Sequence, residues 1–411
     1  MSSRRRDVTL YLFGAVQLVA LSADRLKQFS LVGMLSLLVP GSSVELLKLT
    51  LFTQVPILLL TPLAGALIDR WNKPVTILSV SLARAILLLG VPALYLRTHS
   101  IYTFYAAACV LSIFDLIFAP TRSALLPEVV PRERLLTANA VFWALGIAGT
   151  LAGFLAGGWL FDYHSWMMSF YANSLLYIAA ATLMVPIVFA HRPPVVPPHI
   201  PTDPLRTEMR FFTRSISDAV RLLRDNRDIR ASLVVQAGLF AVGGALSVIG
   251  IARLQEVAPP GKTLFLSQVG TAFIGGLIIS SVVVGMIRER VVPDRTVSVG
   301  TLLCGVAIAG LGRADSLLPM GIWAGLLGVA LSPVFIVTET LMQHQSPRQF
   351  TGRVFAAREA LIKGAFIVTA VLATLANTFL SKSGILVGLG LFLALFGVIL
   401  ERTQWLKMEK S

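Results

Sequence analysis

The sequence is dominated by apolar runs of about twenty residues, the length that an α-helix needs to cross the hydrocarbon core of a membrane. Short charged segments separate these runs, and only 14% of all residues are charged. A soluble domain carries about 25% charged residues. A soluble enzyme would also show short strands and amphipathic helices, which are absent from this pattern. The runs therefore predict an all-α integral membrane protein.

The spacing of the apolar runs predicts twelve transmembrane helices. Their expected ranges are 9–38, 46–68, 75–97, 101–122, 138–160, 165–188, 231–254, 264–287, 296–312, 317–341, 354–379 and 383–400. Between the sixth and seventh ranges lies a long polar segment, which divides the chain into an N-terminal six-helix bundle (1–190), a cytoplasmic linker (191–230) and a C-terminal six-helix bundle (231–411).

Within the linker, apolar residues recur at the spacing of an α-helix. Phe212, Ile216, Val220 and Leu223 recur at helical spacing with arginines between them. This pattern is typical of an amphipathic helix on the inner leaflet. A solvated linker helix would show the same spacing, and both interpretations stay open.

The basic residues are concentrated in the segments that the twelve-helix topology places on one side. The chain has 35 Lys and Arg against 21 Asp and Glu, for a net charge of +14. Basic loops stay in the cytoplasm during insertion, so both termini are predicted to be cytoplasmic. The excess charge is thus explained by topology, with attraction to membrane lipids as a consequence and no nucleic-acid partner.

Two short segments recur in the second half of the chain. "GALIDRWNKPV" (65–75) is echoed by "GMIRERVVP" (285–293), and "PRERLLTANAV" (131–141) by "PRQFTGRVFA" (347–356). The aligned positions of the first echo are Gly65 with Gly285, Asp69 with Glu289, and Arg70 with Arg290. Because both echoes have nearly the same offset, they predict six helices followed by six related helices. An even number of helices per half makes the two repeats parallel.

Ionisable residues inside a membrane cost about 2.5–3.5 kcal/mol each on insertion scales, so each requires a reason. The first helix carries "SADRLKQFS" near its middle. Asp24 shares a face with Gln17 and Gln28, and Lys27 lies one turn away. We predict that this polar stripe faces an aqueous cavity and that Asp24 is a candidate for proton coupling. A permanent ion pair between helices is the alternative.

Two further groups of charges lie inside predicted helices. Arg84 and Asp115 lie at matching depths in the third and fourth helices and are predicted to form a structural pair. In the eleventh helix Glu359 and Lys363 are four residues apart, with Arg358 beside them. This group could receive an acidic headgroup or form an inner gate, and Glu339 could pair with Arg353 or Arg358.

These motifs resemble those of the major facilitator superfamily, and the resemblance covers essentially the whole chain. Its signature between the second and third helices is matched by Gly65, Asp69, Arg70 and Lys73, but Asn72 replaces a glycine and Pro74 a basic residue. Asn tolerates the left-handed turn conformation, so we expect the turn to be kept at Asn72. This loop therefore carries one cation fewer than the family's signature.

The resemblance implies a gating role for Asp69. An acidic side chain at the inner end of the second helix can contact the N-terminus of the eleventh helix near Gly352 and Arg353, where free amides carry partial positive charge. In the family the matching aspartate plays such a role and joins the two halves. The alternative is a topology marker that keeps the loop in the cytoplasm.

Within the superfamily, "PEVVPRERLLTAN" and "LMQHQSPRQFTGRV" are most similar to the branch of macrolide-efflux proteins and the enterobactin exporter. Lysophospholipid transporters are a near second, because Asp24 and Phe29 match a pair in their first helix. The fifth helix contains Gly149, Gly153, Gly157 and Gly158, which resemble the antiporter signature, although Phe154 replaces its proline. A plain packing seam explains the same glycines.

The sequence lacks a phosphate-binding loop, a metal-binding motif and a catalytic triad. We therefore predict no enzyme activity, no cofactor and no metal site. The expected function is secondary transport by alternating access in the cell inner membrane. A monomer that exports a small amphipathic molecule in exchange for protons is the leading prediction. A lysophospholipid flippase and a non-transporting membrane scaffold are the alternatives.

Overall fold

A computed structural model of the protein describes residues 3–68, 71–130, 135–190, 227–259, 262–287, 292–345 and 351–403. Twelve long helices account for nearly all of these residues. The first half contains α1 (Ser3–Leu38), α2 (Ser43–Ile68), α3 (Lys73–Thr98), α4 (Tyr102–Val129), α5 (Leu135–Tyr163) and α6 (Trp166–Ala190). The second half contains α7 (Arg227–Ala245, continued by a π-helical turn Leu246–Gly250 and by Ile251–Val257), α8 (Leu264–Met286), α9 (Pro293–Arg313), α10 (Leu317–Gln345), α11 (Thr351–Ala376) and α12 (Lys382–Thr403).

The predicted all-helical membrane architecture is confirmed. Of the helices in the described ranges, eleven are long and apolar enough to cross a membrane. The exception is α1, which carries Asp24, Arg25 and Lys27 near its middle. A helix that keeps three charged residues at that depth needs partners for them from neighbouring helices. The predicted amphipathic helix at 212–223 lies outside the described residues.

The loop between α2 and α3 corrects one expectation. Asn72 has φ −68° and ψ 104°, an extended conformation and not the left-handed one expected for this position. Its side chain accepts a hydrogen bond from the Val75 amide at 3.4 Å and so caps α3. Pro74 follows in the first turn of the helix, where a missing amide hydrogen costs nothing. The Asn-x-Pro sequence is therefore a helix start.

The chain divides into two compact units. The first comprises Met1–Leu35 and Leu51–Met209, and the second comprises Ser36–Thr50 and Arg210–Ser411. This division differs from the predicted domains at residues 36–50. Within the second unit, the Gly41 amide donates to Gln255 Oε1 and the Asn377 side chain donates to Ser43 Oγ, each at 3.0 Å.

Corresponding helices have corresponding neighbours in the two units. In the first unit α3 packs against α4 and α6, and in the second unit α9 packs against α10 and α12. Likewise α1 packs closely on α5, and α7 packs on α11, where the backbone of Phe366 leaves no room for a side chain at Gly244. The same pairs thus recur six helices later, as the sequence echoes predicted.

Candidate functional site

The charged residues of α1, α3 and α4 form one cluster near the middle of their helices. Lys27 Nζ lies 2.7 Å from both carboxylate oxygens of Asp115 and 3.5 Å from Asp24 Oδ1. The Arg84 guanidinium lies 2.8 Å from Asp115 Oδ1 and 3.5 Å from Asp24 Oδ1. The predicted pairing of Arg84 with Asp115 is confirmed. Asp24 and Asp115 also share both cations, which the sequence did not predict.

Tyr177 of α6 completes this cluster and was missed by the sequence analysis. Its hydroxyl group donates to Asp24 Oδ1 at 2.6 Å, and the side chain is fully buried. A single tyrosine within an apolar run carries no signal that would separate it from a packing residue. Only the contact across 153 residues shows its role.

Aromatic rings surround the buried end of the cluster. The Arg84 side chain has no exposed surface, and its guanidinium carbon lies 4.5 Å from the centre of the Phe118 ring and 5.3 Å from that of Tyr177. A buried cation requires close carboxylates, because its desolvation otherwise costs several kcal/mol. Asp24 and Asp115 remain 23% and 33% exposed. The two acids therefore keep accessible surface, whereas Arg84 has none.

The two glutamines predicted to share the polar face of α1 lie in different environments. Gln17 is buried and donates to the Phe142 carbonyl oxygen of α5 at 3.4 Å. Gln28 is exposed and accepts a hydrogen bond from Arg25 at 2.8 Å. Gln17 thus contributes to helix packing, and the predicted continuous polar stripe is interrupted there.

The glycines of α5 allow it to lie directly against α1. A Cβ atom at Gly149 would collide with the Leu18 carbonyl oxygen, and one at Gly153 with that of Ser22. A Cβ at Gly157 would lie 2.8 Å from Phe29. This arrangement agrees with the packing interpretation of the motif. Gly158, the remaining residue of the motif, is also buried.

Phe29 belongs to the same packing seam. Its ring contacts Phe154 of α5 edge-on, with 4.9 Å between the ring centres. Phe29 is one of the two residues on which the resemblance to lysophospholipid transporters depends. Its position between helices shows that Phe29 contributes to packing of α1 against α5.

A second charged cluster joins α7, α10 and α11. Arg358 lies 2.8 Å from Glu339 Oε2 and 3.0 Å from Glu359 Oε1. Its Nε donates to Gln236, whose amide nitrogen donates to Thr338 Oγ1 at 3.0 Å. Of the two arginine partners predicted for Glu339, the structure shows Arg358, and the side chain of Arg353 lies outside the part of the chain that is described. Lys363 is half-buried one turn further along α11.

The residues of the predicted gating motif are only partly described. Lys73, at the start of α3, pairs with Glu128 near the end of α4 at 2.6 Å. Gly65 lies in α2, and Gly285 lies in the last turn of α8 with open space around it. Gly352 and Arg353 are in the first turn of α11. Asp69, Arg70, Glu289 and Arg290 lie outside the described residues.

The chain was compared with protein-family models and with known protein sequences. The family model described as Major Facilitator Superfamily matches residues 29–311. An uncharacterized MFS-type transporter of Mycobacterium bovis is 25% identical over 334 residues, 77% of this chain and 72% of that protein. The multidrug resistance protein MdtG of Escherichia fergusonii is 22% identical over 302 residues, covering 73% of this chain and 70% of that one.

Solved structures show the same fold. A crystal structure of a mutant of the nucleoside transporter NupG superposes with a TM-score of 0.72 over 98% of this chain and 100% of that one. A second NupG structure gives a TM-score of 0.67. Identities of 12% and 11% restrict the similarity to the fold.

Proposed function

Because the chain belongs to the Major Facilitator Superfamily, and is thus a multi-pass membrane transporter and not an enzyme, we propose that it exports an amphipathic small molecule in exchange for protons. Transport would proceed by alternating access in the cell inner membrane, with a monomer as the working unit and both termini in the cytoplasm. The multidrug resistance relatives support export of a drug-like solute, and a siderophore-like solute is the other candidate within this proposal.

One observation carries the proposal: two carboxylates share the same two cations. Lys27 and Arg84 lie at 2.7–2.8 Å from Asp115 and at 3.5 Å from Asp24. A proton on Asp115 would remove the charge that holds both cations, and they would then pair with Asp24 alone. The geometry thus supports two alternative charge arrangements that differ by one bound proton.

The cluster is suited to coupling because its parts differ in access to water. Asp115 is one-third exposed, so protons can reach it, while Arg84 is fully buried. Loss of the ion pairs of Asp115 would act directly on α1 through Lys27 and on α3 through Arg84. Coupling in a transporter requires such a two-state element, whose equilibrium both the proton and the solute shift.

Reconstitution in liposomes tests this function. A panel of labelled drugs, siderophores and lysolipids is presented with and without an imposed pH gradient, and then with a protonophore. We expect at least one drug-like or siderophore-like compound to accumulate only while the gradient is present.

The two alternatives give different results in the same assay. A lysolipid flippase would move lysolipid equally well after the protonophore is added. A scaffold would move no compound in the panel under any condition. Either result would contradict the proposed proton-driven export.

A further inference from the structure

One face of α6 contacts α1 along the charged cluster of the first unit. Ser169, Asn173 and Tyr177 are four residues apart, so they lie on the same side of α6. The Ser169 hydroxyl lies 2.5 Å from the Ser30 hydroxyl, and the Tyr177 hydroxyl donates to Asp24 Oδ1 at 2.6 Å. Asn173 lies between these two contacts, and its side chain has no exposed surface. Helix α6 therefore borders the turn of α1 that carries the charges.

Asn173 binds the main chain of α1 and not one of its side chains. In the amide orientation that satisfies both partners, its oxygen accepts a hydrogen bond from the Lys27 amide at 2.7 Å and its nitrogen donates to the Ala23 carbonyl oxygen at 3.1 Å. In a regular α-helix these two main-chain groups bond to each other, since each amide donates to the carbonyl group four residues earlier. Asn173 therefore takes part in the hydrogen bonding of the turn that carries Asp24 and Lys27.

Ser174, the next residue of α6, makes a similar contact with α3. Its hydroxyl group donates to the Ala85 carbonyl oxygen at 2.8 Å, and its side chain is buried. Ala85 directly follows Arg84, the second cation of the cluster. Hydrogen bonds to the main chain fix the position of a helix whatever rotamer the bonded residue adopts. Two adjacent residues of α6 therefore fix the backbone beside Lys27 and the backbone beside Arg84.

We infer that Asn173 and Ser174 are positioning residues of the coupling cluster. Two cations on separate helices reach the same pair of carboxylates only if both helices keep their height and rotation. With both backbones held by α6, Lys27 and Arg84 stay within reach of Asp24 when Asp115 binds a proton. This role deepens the proposed function and rests on it, because it concerns the same proton-dependent change of partners.

A double-mutant cycle tests the positioning role without a transport assay. Asp115→Asn removes the carboxylate that pairs with Lys27 and Arg84, and Asn173→Ala removes both hydrogen bonds to the α1 backbone. Substitutions that share a partner have non-additive effects, whereas those at independent sites add. We expect Asp115→Asn to lower the melting temperature in detergent about half as much, or less, in the Asn173→Ala background. An equal decrease in both backgrounds would overturn the inference.

Ser169→Ala is the matched control for this cycle. It also removes a buried hydrogen bond between α6 and α1, but one to the side chain of Ser30. We expect Asp115→Asn to have its full effect in this background. A reduced effect there too would mean that any loosening of α6 weakens the cluster, which would contradict a specific role of Asn173.

Ser174→Ala provides a second, milder cycle. It removes a single hydroxyl group and keeps the helix, so it gives folded protein even if Asn173→Ala does not, as judged by size-exclusion chromatography. We expect Asp115→Asn again to lower the melting temperature by about half as much, or less, in this background. An additive result would overturn the positioning role.

Transport separates this inference from the proposed function. In liposomes, concentrative uptake under a pH gradient is compared with exchange at equal pH. We expect Asn173→Ala and Ser174→Ala to lower the ratio of uptake to exchange about threefold or more, as misplaced groups do, and Ser169→Ala to leave it unchanged. An unchanged ratio in the first two variants would overturn the inference alone. Absence of proton-driven uptake by the original protein, together with non-additive melting temperatures, would contradict the proposed function alone.

Discussion

Tyr177 is the neutral member of the charged cluster, and its hydroxyl group orients one of the two acids. A hydrogen bond to a charged group contributes about 1.5–3 kcal/mol. Tyr177→Phe removes the donor to Asp24 and keeps the ring beside Arg84. We expect a lower melting temperature and weaker proton-driven uptake, measured by thermal unfolding in detergent and by liposome transport.

The control for this change is Tyr171→Phe. Tyr171 lies on the same helix and is 36% exposed. The Tyr171→Phe variant should have the melting temperature and the transport activity of the original protein. Equal effects of the two substitutions would show that the hydrogen bond of Tyr177 has no special role.

The charged residues also show which features of the site the sequence could predict and which it could not. Charge inside an apolar run identified Asp24, Lys27, Arg84 and Asp115, because such residues are too costly to be kept without an ion-pair partner or a function. Their partners could not be read in the same way. The pairing of Lys27 with Asp115 spans 88 residues and depends on how α1 and α4 pack.

Helices α1 and α5 are joined by a seam in which glycine is required by space and not by backbone conformation. A Cβ at Gly153 would collide with the Ser22 carbonyl oxygen and lie 2.8 Å from Arg25 Cβ. We expect Gly153→Ala to destabilise the protein by about 1–3 kcal/mol, as overpacking does. Thermal unfolding monitored by size-exclusion chromatography measures this loss.

Gly90→Ala is the matched control, since nothing lies within 4 Å of the added methyl group. Alanine is favoured over glycine in a helix by about 0.5–1 kcal/mol, so this variant should be equally or more stable. If Gly153→Ala melted at the temperature of Gly90→Ala, the close approach of α1 and α5 would be wrong.

For helices and turns, the sequence predicted the features that depend on a local pattern of residues. The apolar runs predicted all twelve helices, and eleven of them are apolar enough to cross a membrane by their own composition, α1 being the exception. The turn at Asn72 was predicted wrongly, because Asn serves both as a left-handed residue and as a helix cap, and Pro74 selects the second. The docking of residues 36–50 with the second unit has no local signal.

For the whole molecule, the distribution of basic residues predicts the orientation in the membrane. Loops rich in Lys and Arg stay on the cytoplasmic side. We expect a green fluorescent protein fused after Ser411 to fluoresce in a bacterial host and alkaline phosphatase fused there to be inactive. Active phosphatase with a dark fluorescent fusion would reverse the proposed topology.

The central claim is that Asp24 and Asp115 couple proton movement to transport. The most direct measurement compares concentrative uptake under a pH gradient with exchange at equal pH, in liposomes containing the original protein, Asp24→Asn or Asp115→Asn. Asp315→Asn, which changes a residue that is 80% exposed, is the control. The account predicts that both cluster variants lose concentrative uptake and retain exchange. Concentrative uptake at the original level in Asp24→Asn and Asp115→Asn would contradict it.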